Sequence, residues 1–145
     1  MIIEATTVAL LGYIGFTDAR TFTIQNGSVL LLLLLYVLYA LVARSPYEIL
    51  SNVLLGAIIF AVLLCFYAKR TLGAGDVKLL SVVCLWIGIH CALLFSALLL
   101  LFILLHLAAA RMGWVRARTM ADGLAIPYAP AVAGALIGTI VLGCL

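Results

Sequence analysis

The sequence predicts an all-α fold, a polytopic transmembrane helix bundle of six spans with both termini outward. Three observations lead there. Of 145 residues, 68% are hydrophobic and only 9% carry a formal charge, whereas a soluble domain averages about a quarter charged. Such a chain cannot cover itself with a polar surface, so its solvent is lipid. The apolar residues come in long runs without the period-two alternation of barrel strands, and a bilayer core, which offers no water to backbone groups, then admits helices. Finally, the basic residues gather in alternate polar loops, which sets the number and direction of the crossings.

Ile2 to Phe16 makes the first span, followed by a polar interruption from Thr17 to Ser28. Val29 to Ala43 makes the second, extended at its start by residues 24–28. Arg44-Ser45-Pro46-Tyr47-Glu48 is a tight loop in which proline stops the helix. Ile49 to Ala68 has the length of a full crossing, about 20 residues. Lys69 to Lys78 is a glycine-rich polar loop. Leu79 to Ala110 then runs for 32 residues without a formal charge. As one helix it would measure about 48 Å against a hydrocarbon core of about 30 Å, so it divides near Gly88-Ile89-His90 into a short and an ordinary crossing. Arg111 to Gly123 is the third polar loop, and Leu124 to Leu145 the last span, opening with Pro127 and Pro130. The whole chain, 1–145, reads as a single membrane-embedded domain.

With six crossings, Arg20, Lys69, Arg70, Lys78, Arg111, Arg116 and Arg118 share one side and Arg44 alone lies opposite, a split of seven to one among eight basic residues. With five, the last three would change sides and the asymmetry would shrink. The positive-inside rule therefore selects six and turns Asp18 and Asp76 toward the cytoplasm. No basic cluster interleaved with aromatics suggests nucleic-acid binding. Cys65, Cys84, Cys91 and Cys144 lie in apolar runs without a Cys-x-x-Cys pair; they read as buried structural thiols, and neither a zinc site nor another metal is expected. The first span lacks the marks of a cleaved signal peptide: Glu4 stands where positive charge belongs, and no small-x-small site precedes Asp18.

Among five acidic residues, Asp18 ends the first span in Phe16-Thr17-Asp18-Ala19-Arg20 and Asp76 precedes the fourth in Gly73-Ala74-Gly75-Asp76-Val77-Lys78. A carboxylate at a bilayer edge loses hydration, which makes each a functional candidate. If the two helices are neighbours, the carboxyls share a proton; one activates water as general base while the other polarises a scissile carbonyl, as in aspartic proteases. No cofactor or metal is needed. Gly73 and Gly75 permit backbone conformations closed to other residues and leave room for an extended substrate. Each aspartate also has a plainer reading: Asp76 as the N-cap of the following helix, Asp18 as a boundary residue paired with Arg20. From another functional class, a small proton- or cation-coupled transporter or a non-catalytic assembly subunit would use the same acids for ion binding.

On these residues the chain resembles the type IV prepilin leader peptidases, the Gly-x-Gly-Asp membrane aspartyl proteases. The resemblance rests on Asp18-Ala19-Arg20 leading to Ile24-Gln25-Asn26, on Gly73 to Leu79, and on Ile126-Pro127-Tyr128-Ala129-Pro130. Gln25 departs from the family's proline. The resemblance implies that Asp18 and Asp76 are the catalytic pair, and that the substrate is a prepilin with a basic leader and an apolar stem, cut at the cytoplasmic face of the inner membrane. Lys78 would orient the loop or bind a substrate carbonyl, with a snorkelling boundary lysine as its plainer role. Asn26 would hold the Asp18 loop, with helix capping as the plainer role. Without the Cys-x-x-Cys-bearing region of bifunctional members, the chain is similar to the short peptidase-only form of tight-adherence (Flp) pilus systems, and no methyltransferase activity is expected.

The remaining polar and aromatic residues read as scaffold. His90 marks the outward turn and His106 the inner end of the fifth span. Trp86, Trp114, Tyr36, Tyr39 and Tyr47 serve as interfacial or packing aromatics, Arg111, Arg116 and Arg118 face headgroups, and Asp122 is solvated.

Overall fold

The computed structural model describes residues 2–113, 118–120, 123–125 and 127–144; Trp114, Arg116 and Asp122 lie outside them. Among the described residues, five helices make the fold: α1 (Ile2–Thr21), α2 (Asn26–Ala43), α3 (Pro46–Ala68), α4 (Ala74–Arg111) and α5 (Ala129–Val141). The first four are long and apolar enough to cross a membrane, while α5 has 13 residues. Between α4 and α5, β1 (Arg118–Met120) pairs antiparallel with β2 (Gly123–Ala125).

Helix boundaries differ from the sequence reading where a polar residue proves compatible with a helix. α1 continues beyond Phe16 to Thr21. The Thr17 and Thr21 hydroxyls donate to carbonyls four residues back, Tyr13 at 3.0 Å and Thr17 at 2.8 Å, so they satisfy themselves without breaking the helix. Asp18 is therefore inside the last turn rather than in a loop. Pro46 does not stop a helix; it opens α3, where a missing N–H costs nothing. The reason lies in a reciprocal cap, in which Glu48 N–H donates to Ser45 Oγ (3.3 Å) and Ser45 N–H to Glu48 Oε2 (2.8 Å). The loop after α3 is shorter than expected, because α4 already begins at Ala74. The last helix starts at Ala129 rather than at Leu124, which belongs to β2.

The long apolar run does divide where its length demanded. Gly88 takes φ 61°, ψ −177° inside α4, a left-handed region open mainly to glycine. A Cβ there would overlap the amide oxygen of buried Asn52. The segments before and after the break run antiparallel to their neighbours. On the first, Gly56 of α3 faces Leu85 while Asn52 faces Gly88; on the second, Phe102 and Leu98 face Gly134 and Gly138 of α5. Gly15 of α1 meets Pro130 and Ala133 of α5. Among the described residues the helical segments, with α4 broken at Gly88, alternate in direction, and the bundle has two ends: one with Asp18, the start of α4 and the start of α5, the other with Gly88 and the end of α5.

The core is centred on Trp86, whose indole N–H donates to the Leu32 carbonyl at 3.3 Å. Tyr36 meets it edge-on and Tyr39 stacks on it, with centroids 5.9 and 5.3 Å away. Arg44 sits over Tyr39. Tyr47 is exposed, as is most of α3, whose only buried residues are Asn52 and Gly56; an apolar face of this kind suits lipid. The cysteines correct the sequence reading. Cys91 and Cys144 form a disulfide with Cα atoms 5.9 Å apart, because the end of α5 returns to the turn beyond Gly88. Cys65, expected to be buried, is exposed, and Cys84 is partly so.

Candidate active site

Asp18 and Asp76 line one cleft of about 330 Å³, together with Phe22 to Ile24, Gly73 to Gly75, Pro127 and Tyr128. The two carboxyls are near enough for the charge of one to act on the other. Asp18 is 4% exposed and Asp76 half-buried, so the pair is open on the Asp76 side. A separate cavity of about 820 Å³ lies against α1 between Leu11 and Arg20 and against α5; the two carboxyls do not line it.

Asp18 is placed by α1 and held by α5. The backbone N–H of Ala129 donates to its Oδ2 at 3.0 Å in a buried position. Tyr128, the residue capping α5, offers no side-chain cap of its own, so Asp18 reaches across from α1 to satisfy an orphan donor and meets the positive end of the helix. Phe22 closes α1 with a left-handed φ of 54° and donates its N–H to the Asp18 carbonyl at 2.8 Å. This turns the chain sharply into residues 23–25 beside the cleft. Arg20 lies over the Phe16 ring, 4.3 Å from its centroid, so the boundary pairing with Asp18 is not its contact here.

Asp76 occupies the third position of α4, not its N-cap, which is Gly73. Its carboxyl folds back on the Gly73 amide. The two glycines have steric rather than conformational reasons. Gly73 has an ordinary extended backbone, φ −74°, ψ 149°, and a Cβ there would come 3.0 Å from Asp76 Oδ2. A Cβ on Gly75 would come 3.0 Å from Ile24 Cβ. Glycine at 75 therefore lets the loop after α1 press against the first turn of α4, and this close approach brings the two aspartates into one cleft.

Lys78 is exposed, and its ammonium donates to Asn26 Oδ1 at 3.0 Å. Asn26 thus ties the start of α2 to the start of α4, instead of holding the Asp18 loop. Gln25, at the family's proline position, keeps φ −72°, a value proline itself would adopt. Two neighbours went unrecognised in the sequence. His106, read as a boundary residue, lies within electrostatic reach of Asp18 and has its Nε2 buried without a partner. Tyr128 lines the cleft; burial first, and the charge of Asp76 second, raise its phenol above the ordinary range, so it remains protonated at neutral pH. The Pro127-Tyr128-Ala129 stretch was visible as a motif, but nothing in it announced that a backbone amide would be the contact.

Two carboxyls facing one partly dry cleft can hold a water and divide base and acid roles between them. A sequence model of the type IV leader peptidase family matches residues 5–111. No curated protein and no solved structure matches the chain significantly.

Proposed function

The chain belongs to the type IV leader peptidase family, and from that premise we propose that it is a membrane aspartyl endopeptidase removing the leader of type IV prepilin-like, Flp-type precursors at the cytoplasmic face of the inner membrane. The observation that carries this reading is the shared cleft of Asp18 and Asp76. Between them they deprotonate a water and polarise the scissile carbonyl, then return a proton to the leaving amine. Asp18 and Asp76 are the catalytic pair in this scheme, with Gly73, Gly75, Lys78 and Asn26 as the supporting loop. The cleft lies at the end of the bundle that also bears Arg20, Lys69, Arg70, Lys78 and Arg111, while Arg44 lies at the other. That bias supports six crossings with both termini outward.

The test is co-expression with an Flp-type prepilin, reading the new N-terminus by mass spectrometry. Asp18→Asn and Asp76→Asn should each lower cleavage by about 10²- to 10⁴-fold while the protein still accumulates in the membrane. Normal processing by both variants would refute the proposal. With one proton shared by the pair, cleavage should also fall in acid, where both carboxyls are protonated and no base remains, and in alkali, where both are ionised and no acid remains. A rate flat across the carboxyl range would argue against the shared proton.

A further inference from the structure

The geometry points to Cys91–Cys144 as a structural disulfide made on the outer side of the membrane, clamping the end of α5 opposite to the one that holds Asp18. Three observations carry it. The bond joins the turn after Gly88 to the chain beyond Val141, two places 53 residues apart. Ala129, at the start of α5, donates to Asp18, and Gly134 and Gly138 track Phe102 and Leu98 along the way. The disulfide and the aspartates therefore sit at opposite ends of α5, separated by about 20 Å along its axis. Disulfides persist in oxidising compartments and are rare in reducing ones, so the aspartates face the reducing side. This assignment is independent of the basic residues.

The bond also has a mechanical use. A helix of 13 residues is marginal by itself. α5 is secured at one end by the Asp18–Ala129 hydrogen bond and at the other by the disulfide. Its formation needs an oxidant: Cys91 and Cys144 together lose two protons and two electrons as Sγ–Sγ forms, and a disulfide-exchange partner in the outer compartment takes both and leaves as a dithiol. Cys65 and Cys84 remain thiols.

The positioning of Asp18 by this clamp rests on the peptidase reading, but the bond and its side do not, and its test is read by thiol labelling. Full-length protein in intact cells is blocked with N-ethylmaleimide, denatured, and treated with PEG-maleimide with or without prior reduction. Reduction should add two PEG adducts to the wild type and none to Cys91→Ser or Cys144→Ser. In spheroplasts treated with an impermeant phosphine, a sulfonated impermeant maleimide should then label Cys144; in inverted vesicles it should not. Absence of reduction-dependent adducts in wild type overturns the bond, and labelling only in inverted vesicles overturns the orientation. Reducing the detergent-purified wild type should lower its melting temperature, so the clamp remains testable even if the serine variants fail to accumulate; an unchanged melting temperature overturns the clamp. Loss of cleavage in the aspartate variants bears on the peptidase reading alone.

Discussion

At one end of the bundle, Asp18, Asp76 and Tyr128 surround an open cleft, with a lysine and an asparagine bonded beside it. At the other, Trp86, Tyr36 and Tyr39 pack together, Asn52 fills the space beside a broken helix, and a disulfide ties two segments. The first end is held by polar contacts made across helices, and it leaves room for a substrate. The second is packed around aromatic rings and cross-linked, and its cavity beside Gly88 is smaller, about 190 Å³, and lined almost wholly by apolar side chains. A membrane bundle that keeps a hydrated cleft at one end loses contacts there, and dense packing at the far end offsets the loss. The comparison implies that substitutions at the two ends fail differently.

Gly88→Ala makes the sharpest challenge to the packed end. It combines a φ of 61° with overlap against Asn52, and strain of this kind costs about 1–3 kcal/mol before any overlap is added. Thermal melting in detergent should fall steeply, while the cleavage rate of the protein that remains folded should stay near wild type. A variant that melts normally but cuts slowly would erase the distinction between the ends.

Gly75→Ala attacks the cleft instead. The added Cβ meets Ile24 Cβ itself, so the loop must shift by tenths of an ångström. A reduction in cleavage of roughly tenfold, at nearly constant melting temperature, is expected from misplacing the carboxyls. Ile24→Gly should restore activity and Ile24→Ala should not, because alanine keeps the offending atom.

The smallest effect belongs to Lys78→Ala. Its bond to Asn26 is exposed and contributes about 1 kcal/mol or less. In a double-mutant cycle Asn26→Ala combined with Lys78→Ala should be no worse than either alone, as expected for partners in one contact. Additive losses would mean that Lys78 acts on something other than Asn26.

Much of this was readable from one strand of text. Long uncharged runs compel lipid-facing helices, and the excess length of residues 79–110 compelled a break near Gly88 because a helix rises by a constant amount per residue. Asp18 and Asp76 stood out because carboxylates are costly at a bilayer edge. Only the folded chain decided the rest. The Ala129 amide at Asp18, the nearness of His106, the steric need for Gly75 and the Cys91–Cys144 pairing all join residues on different segments. Hydropathy and helical rise are properties of neighbours along the chain, whereas a backbone donor or a partner thiol is selected by which helix packs against which, and a linear pattern of apolar residues leaves that choice open.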